Sequence, residues 1–208
     1  KRTESRPLSA EKVSFTEAFI LLIILLFCSF LLLLNFNLMS IILGLLSMPF
    51  VIFYPFMKRI TYWPQLFLGI VFSWGVLIVS VEFNQLLNFQ FALLYLACVI
   101  WTLGYDTIYA YQDRIDDISQ NIKSTAVYFG EKGRRFVIFC YGIVLFVFGY
   151  LGWNSSNSIF SLIIIAILGI STYIAIQKWD IKSLESSNFY FRQNNIFAIM
   201  LFIYLLIF

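Results

Sequence analysis

Histidine is absent from this 208-residue chain, and charged residues make up only 12% of it. The absence of histidine removes the side chain that most often serves as an acid–base group or metal ligand near neutral pH. Soluble domains carry about 25% charged residues, so half that share beside 61% hydrophobic residues indicates a protein that lies in a lipid bilayer. The net charge of +3 comes from basic residues dispersed between apolar runs, which argues against binding to nucleic acid.

Cysteine is also scarce. The three cysteines, Cys28, Cys98 and Cys140, lie inside apolar runs, and no two of them have the spacing of a metal or redox motif. We interpret them as small apolar side chains. Any chemistry must then come from carboxylates, lysine, arginine, tyrosine or a hard cation.

Seven apolar runs are each long enough, at roughly 20 residues, to form a transmembrane helix. They lie at about 15–35, 38–57, 63–81, 87–108, 134–153, 158–177 and 191–208. If these spans alternate in direction, all fourteen lysines and arginines fall on one side of the membrane. The sequence therefore predicts an all-α, multi-pass integral membrane protein, and the positive-inside rule predicts that the basic side is cytoplasmic.

A group of acidic residues follows the fourth span. At 100° per residue, Asp106, Asp113 and Asp117 line one stripe if the helix continues without a break, and Tyr109 lies about 60° from that stripe. Stacked carboxylates repel each other, and an aspartate near the membrane boundary loses hydration. A bound cation would offset both costs. Oxygen ligands without histidine or cysteine favour Mg²⁺, which commonly shares its coordination with phosphate oxygens.

Basic residues lie on the same predicted side as the acids. Lys58 and Arg59 end the second span, Arg6 precedes the first, and Lys123 follows the acidic segment. Lysine and arginine are the usual ligands of a diphosphate, so we predict these four as diphosphate-binding residues. The alternative for each is an anchor that contacts lipid headgroups.

Four segments carry a resemblance to a known family. They are Tyr105–Asp117 with Ile122–Thr125, Tyr54–Arg59, Trp63–Gln65 with Leu68-Gly69, and Lys1–Thr3 with Arg6–Leu8. Together they resemble the UbiA prenyltransferase family, and most closely its members that act on 4-hydroxybenzoate. The resemblance covers essentially all 208 residues, although Ser73 stands where that subgroup is expected to carry asparagine.

The resemblance implies a bundle of nine helices in which two acidic motifs face each other across a cavity. This chain would supply the last seven helices as a single domain over residues 1–208. It would lack two N-terminal helices and the first acidic motif. We therefore expect a fragment that is inactive alone, through truncated sequence data or a broken gene.

The resemblance also implies an activity. This is transfer of a polyprenyl chain from polyprenyl diphosphate to the ring of 4-hydroxybenzoate, in ubiquinone biosynthesis, by Mg²⁺-assisted ionisation and electrophilic aromatic substitution. Asp106, Asp113 and Asp117 would hold Mg²⁺, and Tyr109, with Tyr105 as a second candidate, would shelter the allylic cation. The membrane would be the inner membrane of a bacterium or a mitochondrion, with the acidic motif on its cytoplasmic side.

Three alternatives remain at this point. The first is a related enzyme with another acceptor, such as a haem, naphthoate or chlorophyllide precursor. The second is a transporter or cation channel whose path is lined by the acids. Transporters bind substrates near the membrane midplane, whereas these acids gather at one face. The third is an inert gene product.

Overall fold

The computed structural model describes residues 6–85 and 88–208, and the secondary structure in these ranges is entirely helical. The α-helices are α1 (Phe15–Leu33), α2 (Leu38–Phe53), α3 (Met57–Ile60), α4 (Pro64–Phe72), α5 (Trp74–Glu82), α6 (Phe89–Ala110), α7 (Arg114–Ser119), α8 (Thr125–Phe129), α9 (Gly133–Ser156), α10 (Ile159–Lys178) and α11 (Leu184–Ile207). Short 3₁₀ segments at Tyr54–Phe56 and Gly130–Lys132 precede α3 and α9. Lys1–Thr3, which belong to one of the four resembling segments, lie outside the described residues.

The prediction of an all-α membrane protein with seven spans is confirmed, because the described residues contain seven helical stretches that are long and apolar enough to cross a bilayer. Many large apolar side chains lie on the outside of these stretches. Phe146, for example, is 77% exposed and Ile167 is 62% exposed. A continuous exposed apolar surface is unfavourable in water and ordinary against lipid tails.

The chain divides within α2 into two compact units, residues up to Leu45 and Leu46–Phe208. In the first unit, α1 begins at a capping box, in which the Glu17 backbone N–H donates to Ser14 Oγ at 3.2 Å and Glu17 Oε2 accepts from the Ser14 backbone at 2.8 Å. In the second unit, α6 is central and packs against α4, α9 and α11, while α10 packs on α9. The single-domain prediction for residues 1–208 stays a prediction.

Two spans differ from their predicted form. The third span is two helices, α4 and α5, with a break at Ser73, where φ is −83° and ψ is 0°. The last helix begins at Leu184 instead of 191, because Ser183 accepts a hydrogen bond of 3.1 Å from the Ser186 N–H and so starts the helix earlier.

Two glycines allow α6 to approach its neighbours closely. A Cβ atom on Gly69 of α4 would lie 2.6 Å from the carbonyl oxygen of Val99 on α6. A Cβ atom on Gly104 of α6 would lie 3.1 Å from Cβ of Cys140 on α9. Small residues at such crossings are typical of membrane helix packing, because lipid tails give apolar helices little reason to associate otherwise.

Candidate active site

The continuous helix assumed for the acidic stripe is not formed. Helix α6 ends at Ala110, three turn residues follow, and α7 begins at Arg114 after Asp113. Tyr111 holds this break in place, since its hydroxyl donates to the Gly130 carbonyl and its ring meets the ring of Trp179 edge-on at 5.0 Å. Asp106 and Asp117 therefore lie on separate helices, and the stripe deduced from a single helix is wrong.

Lys58 nevertheless relates the two acids in space. Its ammonium group, on α3, interacts electrostatically with the carboxyl groups of both Asp106 and Asp117. Lys58 is half-buried, so this attraction is less screened by solvent than it would be on an open surface. Both predicted acids thus lie within electrostatic range of one cation, although they are on separate helices.

Asp117 is the most buried of the acids, with 5% of its surface exposed. Its Oδ2 is buried without a hydrogen-bond partner in the part of the chain that the structure describes, and the Ser124 hydroxyl lies close enough to favour the ionised carboxyl. Burial raises the pKa of Asp117 above its usual value, and the negative charges of Asp113 and Asp116 add to this rise. The Lys58 ammonium and the Ser124 hydroxyl act in the opposite direction and are outweighed. An ionised Asp117 is therefore short of favourable partners.

The loop after α7 is tied to two other elements. The Lys123 N–H donates to the Lys58 carbonyl at 2.9 Å, and Lys123 Nζ donates to the Ile60 carbonyl at 3.0 Å. The Thr125 N–H donates to Gln65 Oε1 at 3.1 Å, which ties the start of α8 to α4. These bonds hold α7 and its acids against α3. They also give the Lys123 side chain a structural partner at the end of α3.

The structure gives fewer contacts for the other predicted binding residues. Asp113 acts electrostatically on Asp117. Arg59 is exposed at the end of α3. Arg6 belongs to the unit that ends at Leu45, so its position relative to the acids is not part of the described geometry. The metal, catalytic and diphosphate roles of all these residues stay predictions.

An aromatic group lies beside Asp106. The ring of Tyr109 is 4.7 Å from the ring of Phe191 on α11, and the ring of Tyr105 is 6.2 Å from it. Tyr54, before α3, interacts electrostatically with Asp106 and both tyrosines. Neither Phe191 nor Tyr54 was predicted as a site residue from the sequence. Tyr54 belongs to Tyr54–Arg59, one of the four segments that resemble the family. No sequence motif surrounds Phe191.

A cavity of about 560 Å³ extends from this aromatic group between α4, α5, α6 and α11. Tyr105 and Phe191 form part of its wall, and none of its described lining residues is charged. Its polar groups include Ser73, whose Oγ is buried and without a partner among the described residues, and Asn194. Asn194 Oδ1 accepts from Trp101 Nε1 at 2.8 Å and from the Tyr141 hydroxyl at 2.9 Å, so the amide oxygen is held and its NH₂ group remains available as a donor.

The acids fit a Mg²⁺ ion with few protein ligands. The described residues contain no cluster of three or more histidine, cysteine, aspartate or glutamate side chains able to hold a metal by themselves. Mg²⁺ is, however, commonly bound by one or two carboxylates, with water and substrate phosphates in its other positions. The unpartnered Oδ2 of Asp117 and the carboxyl group of Asp106 are oxygen donors of that kind.

Comparison with solved structures supports the fold. A UbiA homologue from Aeropyrum pernix K1 superposes with a TM-score of 0.68 at 23% identity, over 97% of this chain and 77% of the other. At this level of identity the likeness concerns the helical architecture only. It agrees with the all-α bundle described above.

Comparison with known sequences defines the relationship more closely. A 4-hydroxybenzoate octaprenyltransferase from Coxiella burnetii is 36% identical over 210 residues, which take in the whole chain and 72% of the relative. The corresponding protein from Pseudomonas fluorescens is 43% identical over 145 residues, which are 70% of this chain and 49% of that protein. The chain thus spans about half the length of the Pseudomonas relative. The model of the UbiA prenyltransferase family matches residues 1–206, and the chain belongs to that family.

Proposed function

We propose that this chain is part of an enzyme that transfers a polyprenyl group from polyprenyl diphosphate to the ring of 4-hydroxybenzoate. The observation that carries the proposal is that Asp106, in the last turns of a span, and Asp117, in α7 just after it, both lie within electrostatic range of Lys58. Acids and a cation at one membrane face suit a ligand that combines a diphosphate head with an apolar tail. The relatives named for prenyl transfer to 4-hydroxybenzoate support the choice of acceptor.

The diphosphate head is assigned to the acidic segment. Asp106 and Asp117, with Asp113 beside them, would hold Mg²⁺ against the diphosphate oxygens, and the ion would neutralise charge on the leaving group. Lys58 donates directly to the diphosphate in this scheme, and Arg59, Arg6 and Lys123 are further candidates for the same role. Lys58 suits it best, because it interacts electrostatically with both carboxyl groups.

The transfer begins when the C–O bond of the allylic diphosphate breaks and its electron pair leaves with the diphosphate. The remaining allylic cation is attracted to aromatic faces, and Tyr109, Tyr105 and Phe191 offer such faces beside Asp106. The ring carbon ortho to the phenol of 4-hydroxybenzoate then forms the new C–C bond, and that carbon loses its proton. The apolar cavity beside Tyr105 gives the isoprenoid chain a place next to the reacting centre.

The side of the membrane on which the acidic segment lies is inferred from the distribution of basic residues. We infer that the acidic segment lies on the cytoplasmic side of a bacterial or mitochondrial inner membrane, because the basic residues of the sequence gather on that side. Ubiquinone biosynthesis is the pathway that uses this product. Both inferences rest on the proposed reaction and on charge distribution.

The test uses membranes that contain the full gene product carrying this chain. They are supplied with polyprenyl diphosphate and labelled 4-hydroxybenzoate, with Mg²⁺ or with a chelator. We expect Mg²⁺-dependent prenylation that falls at least a hundredfold in Asp106→Asn and Asp117→Asn, and strongly in Asp113→Asn. Asp116→Asn is the matched control, because Asp116 is exposed and adjacent to Asp117.

Two results would contradict the proposal. Near-parental turnover without Mg²⁺ in all three variants would remove the role of the acids. Efficient prenylation of a haem or naphthoate precursor with none on 4-hydroxybenzoate would leave the family chemistry intact and replace the acceptor.

A further inference from the structure

A polar crevice separate from the cavity beside Tyr105 lies at the start of α9. It has a volume of about 520 Å³ and is formed by the start of α9 and the loop that joins α10 to α11. Its charged lining residues are Glu131, Arg134, Arg135, Asp180 and Lys182. Because α9 begins and α10 ends there, the crevice lies at the level where a membrane presents its headgroups.

The two acids of this crevice are already occupied. Asp180 Oδ1 accepts the Lys182 N–H at 2.9 Å. A Glu131 carboxyl oxygen is 3.7 Å from Arg114, and the other is 4.0 Å from Lys182. The lining carries three cations, Arg134, Arg135 and Lys182, against these two acids, so its net charge is positive.

The arginines of the crevice, by contrast, have N–H groups available for further hydrogen bonds. One terminal nitrogen of Arg134 donates to the Trp179 carbonyl, while its Nε is buried and finds no acceptor among the residues that the structure describes. Arg135 is exposed at the rim. A guanidinium group is permanently charged and carries five N–H donors, so the crevice holds more donors than acceptors. An anion with several oxygens would correct this imbalance.

We propose that this crevice binds the phosphate of an anionic phospholipid headgroup. Basic pockets between transmembrane helices are suited to such headgroups, and arginine pairs with phosphate oxygens through two parallel bonds. The volume far exceeds the roughly 30 Å³ that one water molecule occupies, so a phosphate and its attached glycerol fit together. The exposed apolar side chains of α9 and α10, such as Phe139 and Ile174, lie alongside the path of the acyl chains.

The experiment measures lipid binding to the purified full gene product in detergent. The probes are phosphatidylglycerol and phosphatidylcholine, quantified by native mass spectrometry, with inorganic phosphate as a competitor. The double variant Arg135→Ala/Lys182→Ala removes two exposed cations of the crevice. Lys178→Ala is the matched control, since Lys178 ends α10 but does not line the crevice. Equal melting temperatures of the three proteins check that each is folded.

We expect phosphatidylglycerol to bind preferentially over phosphatidylcholine and the double variant to bind it about tenfold more weakly or worse, with no change in Lys178→Ala. An Arg135→Lys/Lys182→Arg variant should retain binding, because it keeps both charges. Unchanged phosphatidylglycerol binding in the double variant, or an equal loss in Lys178→Ala, would overturn the proposal. Displacement of the lipid by millimolar inorganic phosphate would overturn it as well, by identifying free phosphate as the ligand.

Discussion

The backbone N–H of Lys123 donates a hydrogen bond of 2.9 Å to the carbonyl of Lys58. This bond joins the loop that follows α7 to the helix whose lysine faces both Asp106 and Asp117. Because this bond uses only backbone atoms, replacing the side chain of Lys58 leaves the bond itself in place.

Lys58→Ala should reduce prenyl transfer by about 10- to 100-fold, because a charge-assisted hydrogen bond to a phosphate contributes about 1.5–3 kcal/mol. Its backbone carbonyl, and hence the bond from Lys123, is retained in the variant. Arg59→Ala is the matched control, since Arg59 is the exposed neighbour. Steady-state kinetics in membranes measure both. A larger loss in Arg59→Ala than in Lys58→Ala would contradict the assignment.

Asp117→Asn should stabilise the metal-free protein at neutral pH by about 1–3 kcal/mol, the usual cost of a buried polar atom without a partner. The pKa of Asp117 is raised in the folded protein. Its contribution to stability is therefore full below the pKa of an unfolded aspartate and is lost as the pH rises through the folded pKa. The advantage of the variant should shrink on acidification and disappear where Asp117 is protonated in both states.

Thermal unfolding in detergent with a chelator measures the stability difference between the parent and Asp117→Asn. The pH is lowered from neutral to about 4, which is near the pKa of an unfolded aspartate. Asp116→Asn serves as the control and should change little, because Asp116 is exposed. A variant at residue 117 that is less stable than the parent at neutral pH would show that Lys58 and Ser124 outweigh burial.

Gly69→Ala should destabilise the protein by about 1–3 kcal/mol, the cost of overpacking a tight contact, because the new Cβ would meet the rigid backbone at Val99 O. Gly142→Ala is the matched control. A Cβ there has no atom within 4 Å, so the variant should be neutral or stabilised by up to about 1 kcal/mol from helix propensity. Melting temperatures compare the two. Equal stability of both variants would show that α4 and α6 can separate at no cost.

The orientation of the bundle can be tested with single cysteines in a background where the three native ones are replaced. Asn154, the site of Asn154→Cys, lies in the last turn of α9, and Ser119, the site of Ser119→Cys, is the last residue of α7. A membrane-impermeant maleimide should label residue 154 in intact cells and residue 119 only after permeabilisation. The reverse pattern would place the acidic segment outside the cytoplasm.

Hydropathy was sufficient to locate the seven spans, because a run of about 20 apolar residues matches the thickness of a bilayer and is rare in soluble domains. The local sequence was not sufficient to predict the helix break in the acidic segment. Nothing in Tyr111-Gln112-Asp113 resembles a helix stop, as it contains neither proline nor glycine. The break depends on the contacts of Tyr111 with Gly130 and Trp179, which are distant in sequence. The grouping of the acids thus stays a prediction from the sequence, whereas the break between their helices depends on packing.

The same limit applies to the partners of the acids. Lys58 was selected as a basic residue at the end of a span, but its position at both Asp106 and Asp117 follows from the fold of α3 and the loop that carries Lys123. Phe191 was not selected because a phenylalanine in an apolar helix is indistinguishable from its neighbours in sequence. Only the packing of α11 beside α6 distinguishes it.

The interruption of the third span at Ser73 limits how that span can turn about its own axis. Backbone polar groups that leave the regular helix pattern at membrane depth require protein or a cavity beside them, not lipid. Rotating α5 outward would transfer Ser73 and this irregular backbone into hydrocarbon, whereas its apolar side chains would tolerate either environment. Ser73 and Ser80, both buried and about two helical turns apart, therefore favour one rotational orientation of this span.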